Sequence, residues 1–93
     1  MTTLLDLTKH IEDLDDQAVL FVKEPWSPTS EAALYRLGDD YAIPPEPQQM
    51  GFKYFIEVDI AKEFISGWLQ NLNSTPSAEE TCGRLIHYAL HDA

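Results

Sequence analysis

Two histidines near the end of the chain have the spacing of a metal-binding pair. His87 and His91 are four residues apart, so on a helix both imidazole rings project from the same side. A zinc or iron site needs at least a third ligand, for which Asp92 and Glu80 are the nearest candidates, and no HExxH pattern surrounds the pair. Histidines are also favoured at the negative C-terminal end of any helix. We therefore expect no bound metal and no cofactor, with a small metal-binding accessory domain as an alternative.

The remaining reactive side chains lack the neighbours that catalysis requires. Cys82 is the single cysteine and falls on the apolar stripe of its helix, which favours a thiol in the core over a nucleophile. His10 has no serine or cysteine beside it in the sequence. The four glycines are isolated, and none is followed by Lys-Ser or Lys-Thr, so there is no phosphate-binding loop. We predict that the protein is not an enzyme, and keep as an alternative a small enzyme that uses His87, His91 and acidic residues.

Carboxylates are the chemical group that dominates this chain. Its 93 residues include 16 Asp and Glu but only six Lys and Arg, which gives a net charge of −10. Nucleic acids and anionic membranes bind proteins through basic side chains, so we exclude both as partners. The first 46 residues contain ten of the acids and three of the bases, a net charge of −7. The acidity is therefore concentrated in the first half of the chain.

We predict a partner-binding surface in this acidic half. Carboxylates speed the encounter with a cationic partner, and aromatic side chains act as anchors once contact is made. The spacing of the acids does not match the alternating oxygen ligands of a calcium loop. The candidate binding residues are Asp13, Asp15, Asp16, Trp26, Tyr35, Asp39, Asp40 and Tyr41. Two alternatives stay open: the acids form an ordinary solvated face, and the aromatic residues belong to the core.

The elements that position these residues begin with an amphipathic helix. Apolar residues at three- and four-residue spacing predict a helix over residues 3–16, with Thr3 and Asp6 in a capping arrangement. The apolar run of residues 18–22 predicts a buried strand. Five of the six prolines then interrupt the pattern. Among them, residues 33–37 form a second strand, or residues 30–37 form one or two helical turns.

The second half of the chain has more regular patterns. Residues 52–58 predict a strand that runs into a helix, with Asp59 as its N-cap. The apolar stripe of this helix consists of Ile60, Phe64, Trp68 and Leu72, flanked by Ala61, Ile65 and Leu69. Ser77 and Glu80 form an S-x-x-E capping box that opens the last helix. Its buried stripe consists of Cys82, Leu85, Ile86, Ala89 and Leu90.

These elements predict one domain, residues 1–93, with an acidic, proline-interrupted part (1–50) and a strand with a helical hairpin (51–93). The fold class is α+β: an N-terminal helix, two or three short antiparallel strands and a C-terminal helical hairpin. The first residues contain neither a basic region nor a long apolar run. We therefore expect a cytoplasmic location.

Three stretches of the C-terminal half have a recognisable arrangement of apolar and aromatic residues. They are residues 51–58, residues 60–65 and residues 85–93, the last of which ends in Tyr-x-x-x-Asp-Ala. This arrangement resembles a family of small acidic bacterial proteins that is similar to immunity proteins of contact-dependent growth inhibition and related polymorphic toxin systems. The resemblance implies a cytoplasmic protein that binds the toxin domain delivered by a neighbouring cell. It implies no catalytic residues.

The charge and the resemblance predict the same function. We expect an immunity protein that binds a cognate basic toxin domain and blocks its active site or its substrate surface. A nuclease is the expected toxin, because proteins that attack RNA or DNA are basic to match their substrate. A protein–protein adaptor is the remaining alternative to this function, beside the small enzyme and the metal-binding accessory domain.

Overall fold

Short helices and strands alternate along the chain, and their arrangement confirms the predicted α+β class. The computed structural model describes residues 1–38, 40 and 42–92. Within them, the elements are α1 (Leu4–Lys9), a 3-10 turn (Ile11–Asp13), β1 (Ala18–Lys23), β2 (Ala32–Arg36), α2 (Pro45–Gln49), β3 (Phe52–Glu57), α3 (Val58–Gln70) and α4 (Ala78–His91). The open choice at residues 30–37 is settled as a strand, β2.

The first helix is shorter than its apolar pattern predicts. The capping box is confirmed: the Thr3 hydroxyl accepts from the Asp6 N–H at 3.2 Å, and the Asp6 carboxylate accepts from the Thr3 N–H at 3.0 Å. One turn later, the buried Thr8 hydroxyl donates to the Leu4 carbonyl at 2.9 Å. Such back-bonding bends and weakens a helix. The helix ends at Lys9, and the chain continues as the 3-10 turn.

The three strands form an antiparallel sheet in the order β2-β1-β3, with β1 in the centre. On β3 the register shifts, because Leu20 pairs with Ile56 whereas Phe21 pairs with Tyr54. This bulge leaves Phe55 without a partner on β1, which lets Phe55 and Ile56 both face the main core. Tyr54 stays on the opposite face of the sheet, where its ring meets Phe21 edge-on at 5.8 Å.

The main core lies between one face of the sheet and helices α1, α3 and α4. Its most deeply buried side chains include Leu4, Leu20, Val58, Cys82 and Leu85. The opposite face of the sheet carries a smaller cluster around Val19, Phe21 and Phe52. Short helix α2 packs beside β3 on this side of the fold, with Pro47 buried. Because β1 is buried on both faces, it has the continuous apolar sequence of a central strand.

Three details of the C-terminal helices differ from the predictions made from the sequence. Helix α3 starts one residue before Asp59, with Glu57 as its N-cap. Its buried stripe is Val58, Ala61 and Ile65, whereas Ile60, Trp68 and Leu69 are at least partly exposed. In α4 the stripe of Cys82, Leu85 and Ile86 is buried, but Leu90 is 59% exposed because it lies at the edge of that stripe. The Ser77–Glu80 capping box is confirmed, with hydrogen bonds of 3.0 and 3.1 Å.

Candidate functional site

A groove opens at the end of the sheet where β1 begins and where β2 and β3 end. Because both outer strands run antiparallel to β1, Arg36 of β2 pairs with Ala18, and Glu57 of β3 pairs with Val19. The groove has a volume of about 500 Å³. Its charged lining consists of Asp16, Arg36, Glu57 and Asp59. We call it the acidic groove.

Two ion pairs hold the rim of the acidic groove. Arg36 Nε donates to Asp15 Oδ2 at 2.8 Å, and Lys62 Nζ donates to Asp16 Oδ1 at 2.6 Å. Lys62 Nζ also donates to the Leu14 carbonyl at 2.7 Å, so its side chain joins α3 to the loop that precedes β1. The Asp16 side chain remains 62% exposed. Its carboxylate is therefore fixed in position and still accessible to another donor.

Two titratable side chains at or beside the acidic groove have shifted pKa values. A backbone hydrogen bond from Gln17 and the Arg36 side chain lower the pKa of Asp15. Burial, and then the Glu57 carboxylate, raise the pKa of the neighbouring Tyr54, so this phenol stays neutral. With Asp15 and Lys62 included, four carboxylates and two cations leave the groove with a net charge of −2. Exposed carboxylates are acceptors for ammonium and guanidinium groups, and a guanidinium can pair with a carboxylate through two hydrogen bonds.

The predicted acids are distributed unevenly around this groove. Asp15 and Asp16 form its rim, and Asp13 is exposed in the 3-10 turn just before them. Asp40 is also exposed, two residues beyond Gly38, which lines the groove. The predicted residues Asp39 and Tyr41 lie outside the described residues.

The two predicted aromatic residues that the structure describes make core contacts and do not share a surface. Trp26 lies beyond the other end of β1, where its Nε1 donates to the Val22 carbonyl at 3.2 Å and its ring meets Phe55 edge-on at 4.9 Å. Tyr35 packs edge-on against Phe21 at 5.6 Å on the opposite face of the sheet. Both rings are half-buried, in agreement with the alternative that the aromatic residues belong to the core.

Glu57 and Asp59 were not predicted as site residues, because the acids and aromatic residues of the first half of the chain drew the prediction there. The signal was the antiparallel arrangement itself. In a three-stranded antiparallel sheet with β1 in the centre, the end of β3 must lie beside the start of β1. A carboxylate at the end of residues 52–58 therefore meets the acids that precede residue 18.

A second concave surface lies between α3 and α4. This helical groove has a volume of about 710 Å³. Its lining includes Ile60, Phe64, Gly67, Trp68 and Tyr88. The rings of Phe64 and Tyr88 are stacked with their centroids 4.1 Å apart, and the Arg84 guanidinium lies 5.1 Å from the centroid of the Phe64 ring. The groove thus combines aromatic rings with one acidic and one basic side chain, Glu63 and Arg84, in contrast to the acidic groove.

No protein-family model, curated protein or solved structure matches this chain. The resemblance of its C-terminal half to immunity proteins therefore stays a prediction. None of the helices in the described part of the chain has the length and apolar character needed to cross a bilayer. The function has to be argued from the two grooves and the side chains around them.

The reactive side chains of α4 do not form a built site in the described residues. The rings of His87 and His91 have centroids 4.6 Å apart, and Arg84 Nη1 lies 3.2 Å from His87 Nδ1. Among residues 1–38, 40 and 42–92, no group of three or more His, Cys, Asp or Glu is placed to hold a metal ion. Cys82 is fully buried, and burial raises the pKa of its thiol. The thiol is therefore protonated at neutral pH and cut off from solvent.

Proposed function

We propose that this protein is an immunity protein, which binds a basic toxin domain and blocks its active site or the surface that holds its substrate. The observation that carries the proposal is the acidic groove. Asp16, from the loop before β1, and Glu57 and Asp59, from the junction of β3 and α3, line one concave surface. The resemblance of residues 51–93 to immunity proteins supplies the class of partner.

The electrostatics favour a cationic protein as the partner. The net charge of −10 on a chain of this size attracts such a protein over distances comparable with the Debye length, about 8 Å at physiological salt. A nuclease domain carries its positive charge where it binds phosphates. Carboxylates held on a rigid frame compete for the same positive surface, so occupying it excludes the nucleic acid.

The ion pairs of the rim contribute by limiting motion before binding. Asp15 is held by Arg36 and Asp16 by Lys62, so these carboxylates lose less conformational freedom when a partner arrives than free side chains would. Asp59 also accepts a hydrogen bond from the Ile60 N–H at 2.8 Å. A partner lysine or arginine that enters the groove therefore meets carboxylates that are already in place.

The proposal expects a gene for a large toxin directly upstream, and the test is binding to, and protection against, the C-terminal domain of that toxin. The triple variant Asp16→Gln, Glu57→Gln, Asp59→Asn should weaken binding at least 10-fold and abolish protection of cells that express the toxin domain. Glu24→Gln, Glu46→Gln, Glu79→Gln is the matched control, since it removes three exposed carboxylates outside the groove. Its affinity should fall less than threefold.

Two results would contradict the proposal. The first is a wild-type protein that neither binds nor protects against that domain. The second is an equal loss of affinity in both triple variants. The affinity would then depend on the total charge of the protein and not on the acidic groove.

A further inference from the structure

Helix α3 has a glycine, Gly67, in its last turn that its own packing does not require. At Gly67, apart from its chain neighbours and the adjacent backbone of its own helix, no atom lies within 4 Å of the position that a Cβ would occupy, and its φ is not in the left-handed region. An alanine would fit there and would favour the helix. Gly67 lies in the helical groove. The missing side chain makes the helix less stable. It also leaves open space in the groove surface, into which the backbone of another chain can fit.

The same helix is apolar on two sides. Val58, Ala61 and Ile65 are buried in the main core. A second stripe, Ile60, Phe64 and Trp68, repeats every four residues along the helical groove, and Ile60 is 38% exposed. The second stripe spans eight residues, or about 12 Å. Two to three turns of another helix match that length.

The flank of this stripe is negative. Asp59 and Glu63 are exposed on the outer side of α3, one turn apart. On the α4 side, Arg84 is already engaged with the Phe64 ring and with His87. Lys62 is turned away to Asp16. A partner with basic residues complements this flank, whereas a second copy of this chain brings another net charge of −10.

We propose that the helical groove binds an amphipathic helix of a partner protein. The apolar side of that helix rests on Ile60, Phe64 and Trp68, and its backbone approaches most closely at Gly67. Lysine or arginine residues along one side of it pair with Glu63, which lines the helical groove. This is helix-in-groove recognition. The inference goes beyond the proposed function, because it involves a different surface and does not depend on the partner being a toxin.

The test uses displayed peptides of about 16 residues, with apolar residues at helical spacing and all other positions randomised. Selection on the purified protein should enrich peptides with Lys or Arg beside the apolar stripe. Backbone NMR shifts on adding a selected synthetic peptide should map to the helical groove. Replacing the peptide's basic residues with Glu should weaken binding at least 10-fold, and Glu63→Lys should act in the same direction.

Gly67→Leu is the decisive variant, and Gly83→Leu is its matched control. Gly83 is exposed in the middle of α4, no atom beyond its chain neighbours and adjacent helix backbone lies within 4 Å of the position that its Cβ would occupy, and it does not line the groove. Both substitutions replace an exposed helical glycine with a helix-forming residue, so both should raise the Tm by about 4 °C. Only Gly67→Leu should weaken peptide binding, at least 10-fold. The loss then cannot be attributed to unfolding.

Each of the other outcomes overturns the inference. These are the absence of enriched helical peptides, peptides that map to the acidic groove, and equal binding to the Gly67→Leu and Gly83→Leu variants. A dimer in sedimentation experiments that Gly67→Leu dissociates would identify a second copy as the occupant. The peptide experiment uses no toxin, so a negative result does not affect the proposed function. A negative result in the toxin-binding test likewise does not affect this inference.

Discussion

The acidic groove and the helical groove differ in how the chain builds them, although α3 contributes to both. The acidic groove combines the loop before β1 with the ends of β2 and β3 and the first turn of α3. The helical groove needs only two helices that follow each other in sequence. The acidic groove is polar and bordered by ion pairs. The helical groove carries aromatic rings, of which Phe64 and Tyr88 also pack against the main core.

The two grooves affect the stability of the folded protein in different ways. Exposed ion pairs such as Asp15–Arg36 add little stability, about 0 to 1 kcal/mol each, and act mainly by fixing carboxylates in position. In contrast, an exposed apolar side chain such as Ile60 makes the protein less stable than it would be if that side chain were buried. An acidic surface suits fast encounter, and an aromatic one suits long residence.

The largest expected effect comes from a substitution in the main core, because both grooves depend on that core for their shape. Leu20 is 1% exposed on the central strand, and Leu20→Ala should lower the free energy of unfolding by about 3 kcal/mol, through lost burial and the cavity that remains. Leu90→Ala is the matched control: this side chain is 59% exposed, and its loss should cost less than about 0.5 kcal/mol. Urea denaturation measures both. Equal losses would show that the burial of the two leucines is not as described.

A smaller effect should separate the grooves. Lys62→Met removes the donor that joins α3 to Asp16 and to the Leu14 carbonyl, and should cost about 1 to 2 kcal/mol. NMR shift changes should be concentrated around the acidic groove, while the ring contact of Phe64 and Tyr88 stays unchanged. Lys53→Met, at an exposed position, removes the same charge. A cost for Lys62→Met no greater than that of Lys53→Met would refute the joining role of Lys62.

The smallest effect is a change in the pH dependence of stability at the rim of the acidic groove. The pKa of Asp15 is lower in the folded protein than in the unfolded chain, through the Gln17 N–H and then Arg36. As the pH falls, the unfolded chain binds its proton first. The contribution of Asp15 is thus complete above the unfolded pKa of about 4 and is lost as the pH falls through the folded pKa.

Replacing Asp15 with Asn should therefore flatten the loss of stability as the pH falls below about 5, measured by chemical denaturation at several pH values. Asp13→Asn removes a carboxylate from the neighbouring 3-10 turn and leaves the Gln17 and Arg36 contacts in place. Its curve should keep the wild-type slope. An Asp15→Asn curve that also keeps this slope would contradict the assigned hydrogen bonds.

Local patterns in the sequence predicted most of the fold. Both capping boxes could be identified because the side chain that accepts the hydrogen bond is three residues from its donor, as at Thr3 and Ser77. Residues 18–22 were identified as a buried strand because a central strand is apolar on both faces. The early end of α1 was not predicted, since it coincides with a tertiary burial of Thr8.

The candidate sites were only partly predictable. Asp15 and Asp16 were found from the local density of acids, but Glu57 and Asp59 join them only because β3 pairs with β1. Trp26 had the residue type of an interface anchor, and its place against Phe55 depends on the packing of distant segments. Helical spacing predicted one apolar stripe on α3 with its flanking residues, but spacing alone cannot tell which of them meet the core: the flanking Ala61 and Ile65 are buried, whereas Ile60 is 38% exposed.

The sequence by itself determined the net charge, the central strand, the capping boxes that open α1 and α4, and the absence of a phosphate-binding loop, since each depends on composition or on residues a few positions apart. Tertiary structure decided which carboxylates share a groove, which aromatic residues enter the core and which face of α3 stays open. These depend on strand register and helix packing, in which residues far apart in the chain compete for the same apolar partners.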